Sequence, residues 1–177
     1  MEPIISFPHL GDYYYPISKL LTLLTEKNVK PAPAITKKTL DLGTKYAPDT
    51  VCIPFKYNLG NFIESLENGA NILFTAGGGC RYRYYAEVTE TILKDLGYQF
   101  KFYKLISKDK INFKEVYKMF KEINPNLTKR KFIKSIIYTL LFIFYMDEID
   151  KIIRKNIGFE QQLNTHKNLK EKMLSDL

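Results

Sequence analysis

The sequence is poor in cysteine, and it contains two histidines and no tryptophan. Two cysteines are too few for the disulfide framework of a small secreted domain, and no signal peptide opens the chain. We therefore expect a reducing, cytoplasmic setting. The longest apolar run, residues 136–146, is well short of the roughly 20 residues that a membrane span needs. This run predicts a buried or interface helix, and we expect no membrane association.

Acidic side chains are scarce in the C-terminal part of the chain. Residues 1–100 carry ten basic and ten acidic side chains, whereas residues 101–177 carry seventeen and nine. The whole net charge of +8 therefore lies in the second part. Such a region could meet an acidic partner or a phosphate-rich ligand, or consist of solvated helix faces. No nucleic-acid motif accompanies the charge, so we expect no nucleic-acid partner.

Short apolar segments alternate with helical patterns over residues 1–106. This alternation predicts a Rossmann-like α/β domain, with a parallel sheet of about four to five strands and flanking helices. Thr36 is a candidate cap for one of those helices. The predicted strands are residues 4–10, 29–35, 49–54, 71–76 and 99–106.

After residue 106 the pattern is all helical, and we treat residues 107–177 as a second, basic helical segment. An apolar stripe over residues 113–120 predicts one helix, and Thr128 begins a long helix that runs to about Asn156. Residues 160–177 are polar, and we expect them to be frayed. The long helix is a candidate docking surface.

Both cysteines fall at the ends of predicted strands. Cys52 ends the strand 49–54, and Cys80 follows the strand 71–76 and the loop Gly77-Gly78-Gly79. The carboxyl ends of parallel strands meet at one edge of a sheet, where ligands bind and helix N-termini lower the pKa of a thiol. Three interpretations stay open: metal ligands, a disulfide, or inert buried thiols.

Other candidate residues are less specific. His9 ends the first predicted strand, and Tyr82 is one of several tyrosines after Cys80, so both could line a pocket at the same edge. The glycine loop matches neither the dinucleotide-binding motif nor the phosphate-binding loop. No Ser–His–Asp arrangement and no histidine-rich metal pattern is evident.

Three long stretches carry a family resemblance: FPHLGDYYYPISKLL, PAPAITKKTLDLGTKYAPDTVCIPFKYNLGNFIESLENGA and GGGCRYRYYAEVTETILKDLGY. They resemble the N-terminal half of the CoA protein activase or 2-hydroxyglutaryl-CoA dehydratase-like family. That family is related to the 2-hydroxyacyl-CoA dehydratases and benzoyl-CoA reductases of anaerobes. The resemblance covers about residues 4–106 and continues more loosely into the helical stretch.

The resemblance implies an iron–sulfur protein for ATP-linked, low-potential electron transfer: a component of a 2-hydroxyacyl-CoA dehydratase-like lyase or its activator. It implies that Cys52 and Cys80 hold a [4Fe–4S] cluster and that the substrate is an acyl-CoA. The residues expected around the cluster are Gly77, Gly78, Gly79, His9 and Tyr82.

Family members are typically about twice as long, so the resemblance also implies a truncated or split member that lacks a second lobe. Its cluster would then need cysteines from a partner chain or from the second copy of a homodimer. The alternative is a non-redox binding or assembly module that completes its site with a partner chain.

Overall fold

Four parallel strands form the central sheet of the fold. The structure is a computed structural model, and it describes residues 2–77, 84–106 and 111–175. The strand order across the sheet is β2-β1-β3-β4, and each neighbouring pair is parallel. The parallel sheet with flanking helices confirms the predicted α/β fold class. The strands are β1 (Ile4–Ser6), β2 (Asn28–Val29), β3 (Ile72–Gly77) and β4 (Lys101–Ile106).

Helices account for most of the remaining described residues, and two of them begin at the threonines that the sequence indicated. Thr36 accepts a hydrogen bond from the Thr39 N–H, and the Thr39 side chain accepts one from the Thr36 N–H. Thr128 caps the long helix through the Lys131 N–H. The helices are α1 (Tyr14–Thr25), α2 (Lys37–Tyr46), α3 (Ile53–Glu67), α4 (Tyr85–Asp95), α5 (Phe113–Ile123), α6 (Lys129–Asn156) and α7 (Thr165–Ser175). Across the described ranges, none of these helices is both long and apolar enough to cross a membrane.

The strands separate two hydrophobic cores because successive side chains point to opposite faces of a sheet. Ile72 and Phe74 lie in one core, with α1, α5 and the first part of α6. Leu73 lies in the other core, with α3 and α4. The beginning of the basic helical segment therefore packs directly on the sheet.

The predicted strand over residues 49–54 is wrong. The chain turns there, with the Val51 N–H donating to the Pro48 carbonyl, and Cys52 is the N-cap of α3. Pro54 falls in the first turn of α3, where its fixed φ suits a helix and its missing N–H costs no hydrogen bond. Cys52 thus lies at the start of a helix and not at the end of a strand.

The second strand is shorter than predicted, and prolines explain why. The Lys30 and Ala32 N–H groups still donate to the Ile5 and Phe7 carbonyls, at 2.8 and 3.0 Å. Pro31 lies between these two donors and has no N–H of its own. This proline therefore belongs to the open edge of the sheet, as the sequence predicted for an interrupted edge strand.

The prediction of a frayed C-terminus is also wrong, because α7 docks on α6. Leu174 is buried against Met146 and Ile149. The Lys170 ammonium lies 2.6 Å from the Asp12 carboxylate and 2.5 Å from that of Asp150. A polar sequence can therefore form an ordered helix here, because one leucine and one lysine attach it to the rest of the chain.

Two glycines allow α2 and α3 to lie in backbone contact. A Cβ placed on Gly43 would lie 1.7 Å from the Lys56 carbonyl oxygen, and one on Gly60 would lie 2.0 Å from the Thr39 carbonyl oxygen. Both obstacles are backbone atoms, which cannot rotate away. The two helices can approach this closely only while both positions lack a side chain.

Gly60→Ala should therefore force α2 and α3 apart and lower the free energy of unfolding by at least about 2 kcal/mol, the usual scale of overpacking. Urea unfolding followed by circular dichroism measures this. Gly158→Ala is the matched control, because a Cβ there meets nothing within 4 Å and should change stability by less than about 0.5 kcal/mol. Equal stability of the two variants would contradict the close approach.

The ion pair to α7 predicts a pH dependence. Hydrogen bonding from Lys170 holds the pKa of the Asp150 carboxyl below its usual value, with Arg154 adding to the effect. A lowered folded-state pKa stabilises the fold above the unfolded pKa, and this stabilisation is lost as pH falls through the folded value. Asp150→Asn should therefore loosen α7 by about 1 kcal/mol at neutral pH.

Amide hydrogen exchange of α7 is the measurement for this prediction. The native chain and Asp150→Asn should differ at neutral pH and converge in acid, once the native carboxyl is protonated. A difference that persists unchanged in acid would show that the carboxylate charge does not hold α7 in place.

Candidate functional site

The strand order places a topological switch point at the carboxyl edge of the sheet, between β1 and β3. From β1 the chain passes through α1 to β2 on one side, whereas β3 and β4 lie on the other side. The helices that precede and follow β3, which are α3 and α4, cover the opposite face from α1. The segments that leave β1 and β3 therefore diverge, and such a switch point is where open α/β sheets bind ligands.

His9 lies in the segment that leaves β1. Its backbone N–H donates to the Asn61 side chain at 3.0 Å. This bond fixes the backbone and does not involve the imidazole. The imidazole is half-buried and stacks on Tyr14, with ring centroids 6.1 Å apart. Burial raises the pKa of Tyr14 to about 12, and the hydroxyl of Tyr15 adds to this. Tyr14 therefore stays protonated and contributes a neutral ring.

Cys52 lies at the same edge of the sheet. Helix α3 leads into β3 through a short turn, so it runs antiparallel to the strands and begins at their carboxyl ends. The thiol is exposed, and its sulfur lies 3.3 Å from the Tyr85 hydroxyl at the start of α4. The Tyr85 ring packs edge-on against Phe55, with centroids 4.8 Å apart. Phe55 is buried in the first turn of α3 and so orients the hydroxyl toward the sulfur.

The pKa of the Cys52 thiol is lowered. The main cause is the hydrogen bond with the Tyr85 hydroxyl, which donates to the thiolate. The Phe55 N–H at the start of α3 adds to the effect, although the sulfur makes no complete capping hydrogen bond. Because the thiol is exposed, little burial opposes ionisation. Cys52 is therefore an accessible thiol with a lowered pKa and not a buried core residue.

Gly77 ends β3 in a conformation that favours glycine, with a φ of +86°. A Cβ there would lie 2.8 Å from the Ile106 carbonyl oxygen at the end of β4. Position 77, the first of the glycine loop, therefore needs glycine because of its backbone conformation and its close approach to β4. Gly78, Gly79, Cys80 and Tyr82 lie outside the described residues, and their predicted roles remain predictions.

The metal-ligating side chains at the carboxyl edge of the sheet determine which cofactor could bind there. Among the residues that the structure describes, no three histidine, cysteine, aspartate or glutamate side chains are grouped closely enough for a metal ion. Cys52 is the cysteine that the structure describes, and Cys80 is the second cysteine of the sequence. A [4Fe–4S] cluster is usually held by about four thiolates. One chain can therefore supply about half of such a ligand set.

Comparison with protein-family models, with curated proteins and with solved structures finds no match to this chain. Its function is therefore argued from the geometry of the site.

Two features of this edge were not predicted from the sequence. Tyr85 was grouped with tyrosines that could line a pocket, but its contact with Cys52 joins residues 33 positions apart. Asn61 is not among the predicted site residues, yet it is completely buried and holds the His9 backbone. The available signal was a polar residue between the apolar Leu59 and Phe62 of one helix.

Removing the Tyr85 hydroxyl should raise the pKa of Cys52. A hydrogen bond of about 1 kcal/mol corresponds to a roughly fivefold change in thiolate population, so Tyr85→Phe should slow alkylation at neutral pH about fivefold. The rate of iodoacetamide labelling against pH measures this, in a Cys80→Ser background so that one thiol reports. Superimposable pH profiles for the two proteins would show that the hydroxyl does not stabilise the thiolate.

Proposed function

We propose that the carboxyl edge of the sheet is a half-site for an iron–sulfur cluster, with Cys52 and Cys80 as its thiolate ligands. The observation that carries this proposal is the exposed Cys52 thiol, whose pKa is lowered, at the sheet edge where β3 ends in Gly77. Thiolates are the ligands that such clusters require. The family resemblance suggests the reaction class: ATP-linked, low-potential electron transfer related to 2-hydroxyacyl-CoA dehydration in a cytoplasmic, anaerobic setting.

The ligand count makes the proposal a shared site. With two cysteines per sequence, two copies, or one copy and a different partner, would complete a set of about four thiolates. An exposed thiol at the edge of the sheet is accessible to such a partner. A buried thiol would not be.

The residues of this chain would set the properties of the bound group. A bound cluster would supply one electron at low potential to an acyl-CoA substrate. Tyr85 would donate a hydrogen bond to the Cys52 sulfur, and such bonds raise the reduction potential of a cluster by offsetting its negative charge. His9 and Tyr14 would form the opposite wall of the site. The absence of a side chain at Gly77, Gly78 and Gly79 would give a bulky group room beside the backbone.

A second candidate function is a non-redox assembly module that completes its site with a partner chain. The outer surface of α6 favours it, because large apolar side chains remain exposed there. Such a module would associate whether or not iron is present.

Anaerobic reconstitution tests the first proposal. We expect about two irons and two acid-labile sulfides per chain if two copies share one [4Fe–4S] cluster, together with broad visible absorption. Cys52→Ser and Cys80→Ser should each remove most of the iron. The Cys52 variant has a built-in control, because serine is a favoured N-cap and should keep or raise the thermal stability.

Iron lost from a fully folded Cys52→Ser protein would identify a ligand. No iron in the reconstituted native chain, in any assembled species, would overturn the cluster proposal and leave the assembly function.

A further inference from the structure

Helix α6 has two apolar faces, and the chain itself covers one of them. The covered face packs on α1 and α7. The opposite face carries a second apolar series at spacings of four, three and four: Ile133, Ile137, Leu140 and Phe144. Three-and-four spacing is the pattern of helices that pair lengthwise. The residues of the covered face, which follow the same spacing, are Phe132, Ser135, Thr139, Phe142, Met146, Ile149 and Ile153.

The exposed series and its neighbours form a continuous surface, which we call the outer seam. Each of its six large side chains is between 52% and 60% exposed. At roughly 100 Å² each, they offer about 600 Å² per chain, close to what one partner contributes to a small stable interface. The outer seam comprises Ile133, Ile137, Leu140, Leu141, Phe144 and Tyr145.

The two ends of the outer seam carry opposite charges. Lys129 and Arg130 precede it, and within the described parts of the chain neither forms an ion pair. Asp147 and Glu148 follow it. Asp147 accepts a hydrogen bond from the Tyr13 hydroxyl, and Glu148 pairs with Lys151 one turn later on the same helix. Each acid lies 18 residues after its basic counterpart, which is about five full helical turns. Arg130 and Glu148 are therefore on one flank of the seam. The Asp147 carboxylate is instead directed toward the start of α1.

We propose that a second copy of this chain covers the outer seam, with the two α6 helices antiparallel about a twofold axis near Thr139. Arg130 then faces the partner's Glu148, on both sides of the axis. A parallel pair would instead bring like charges together. The charge pattern thus selects the second copy and its direction, and a twofold interface needs only one such self-complementary surface.

A groove beside the seam is large enough for an aromatic side chain of the partner. It lies between α5 and the start of α6 and has a volume of about 470 Å³. In the antiparallel pair, the partner's Phe144 falls opposite residue 134, next to this groove. An aromatic side chain in an apolar groove is a typical interface anchor. The apolar lining residues are Phe113, Tyr117, Phe132, Ile133, Ile136 and Ile137.

This inference names the partner for the assembly function, and it does not depend on the cluster. A cluster-bearing dimer that survives Leu140→Glu would overturn the pairing and leave the cluster proposal standing. A dimer that binds no iron would overturn the cluster proposal and leave the pairing standing.

Charge exchange in the full-length chain is the decisive test. Arg130→Glu and Glu148→Arg should each weaken the dimer about tenfold or more, because each places like charges opposite one another twice. The double variant should restore the dimer to within a few-fold of the native dissociation constant. Sedimentation equilibrium over a wide concentration range measures all four proteins. Failure of the double variant to recover would overturn the antiparallel pairing.

A charge within the seam tests the surface itself. Leu140→Glu should make the chain monomeric while its circular dichroism and melting temperature remain native, because the side chain is already 60% exposed. Phe159→Glu changes an exposed apolar residue beyond the seam and should leave the dimer intact. A native chain that stays monomeric throughout, or a dimer that survives Leu140→Glu, would overturn the proposal.

Discussion

The fold depends on hydrogen bonds from α3 to buried backbone groups. These groups lie just after two very short strands, where the sheet no longer supplies partners. β1 has three residues and β2 has two, so the chain leaves the sheet ladder while it is still inside the protein. Buried N–H and C=O groups must find partners there. Asn61 accepts from the His9 N–H at 3.0 Å and donates to the Pro33 carbonyl at 3.1 Å. A side-chain amide can do both at once, so one residue joins the segments that follow both strands.

The rest of the polar face of α3 positions the helix and, with it, the candidate site. Ser65 bonds the Ser6 hydroxyl at 2.9 Å, and the buried Glu64 accepts from Thr39 at 2.7 Å. These bonds set the rotation of α3 against β1 and α2. The N-terminus of the helix lies about 13 Å from Asn61 along the axis, and that is where Cys52 meets Tyr85. The exposed thiol is therefore positioned by a polar row that lies well away from it.

Local chemistry explains which parts of the fold were predictable. The caps at Thr36 and Thr128 and the apolar stripes of the helices act within a few residues, so the sequence pattern predicts them. The apolar run 49–54 failed as a strand because Pro54 also suits the first turn of a helix, and β-favouring residues alone do not distinguish the two. The prediction of a frayed C-terminus was wrong because helix α7 is held by the ion pair between Lys170 and Asp12, 158 residues earlier.

The sequence by itself determined the alternation of strands and helices, the caps, the edge character of the proline-rich strand and the candidacy of both cysteines. Only the tertiary structure decided that Cys52 begins a helix, that Tyr85 bonds its sulfur and that one apolar face of α6 stays uncovered. The physical reason is range. Propensity and periodicity act between near neighbours, whereas the bond between Cys52 and Tyr85 and the choice of the buried face of α6 depend on segments brought together by packing.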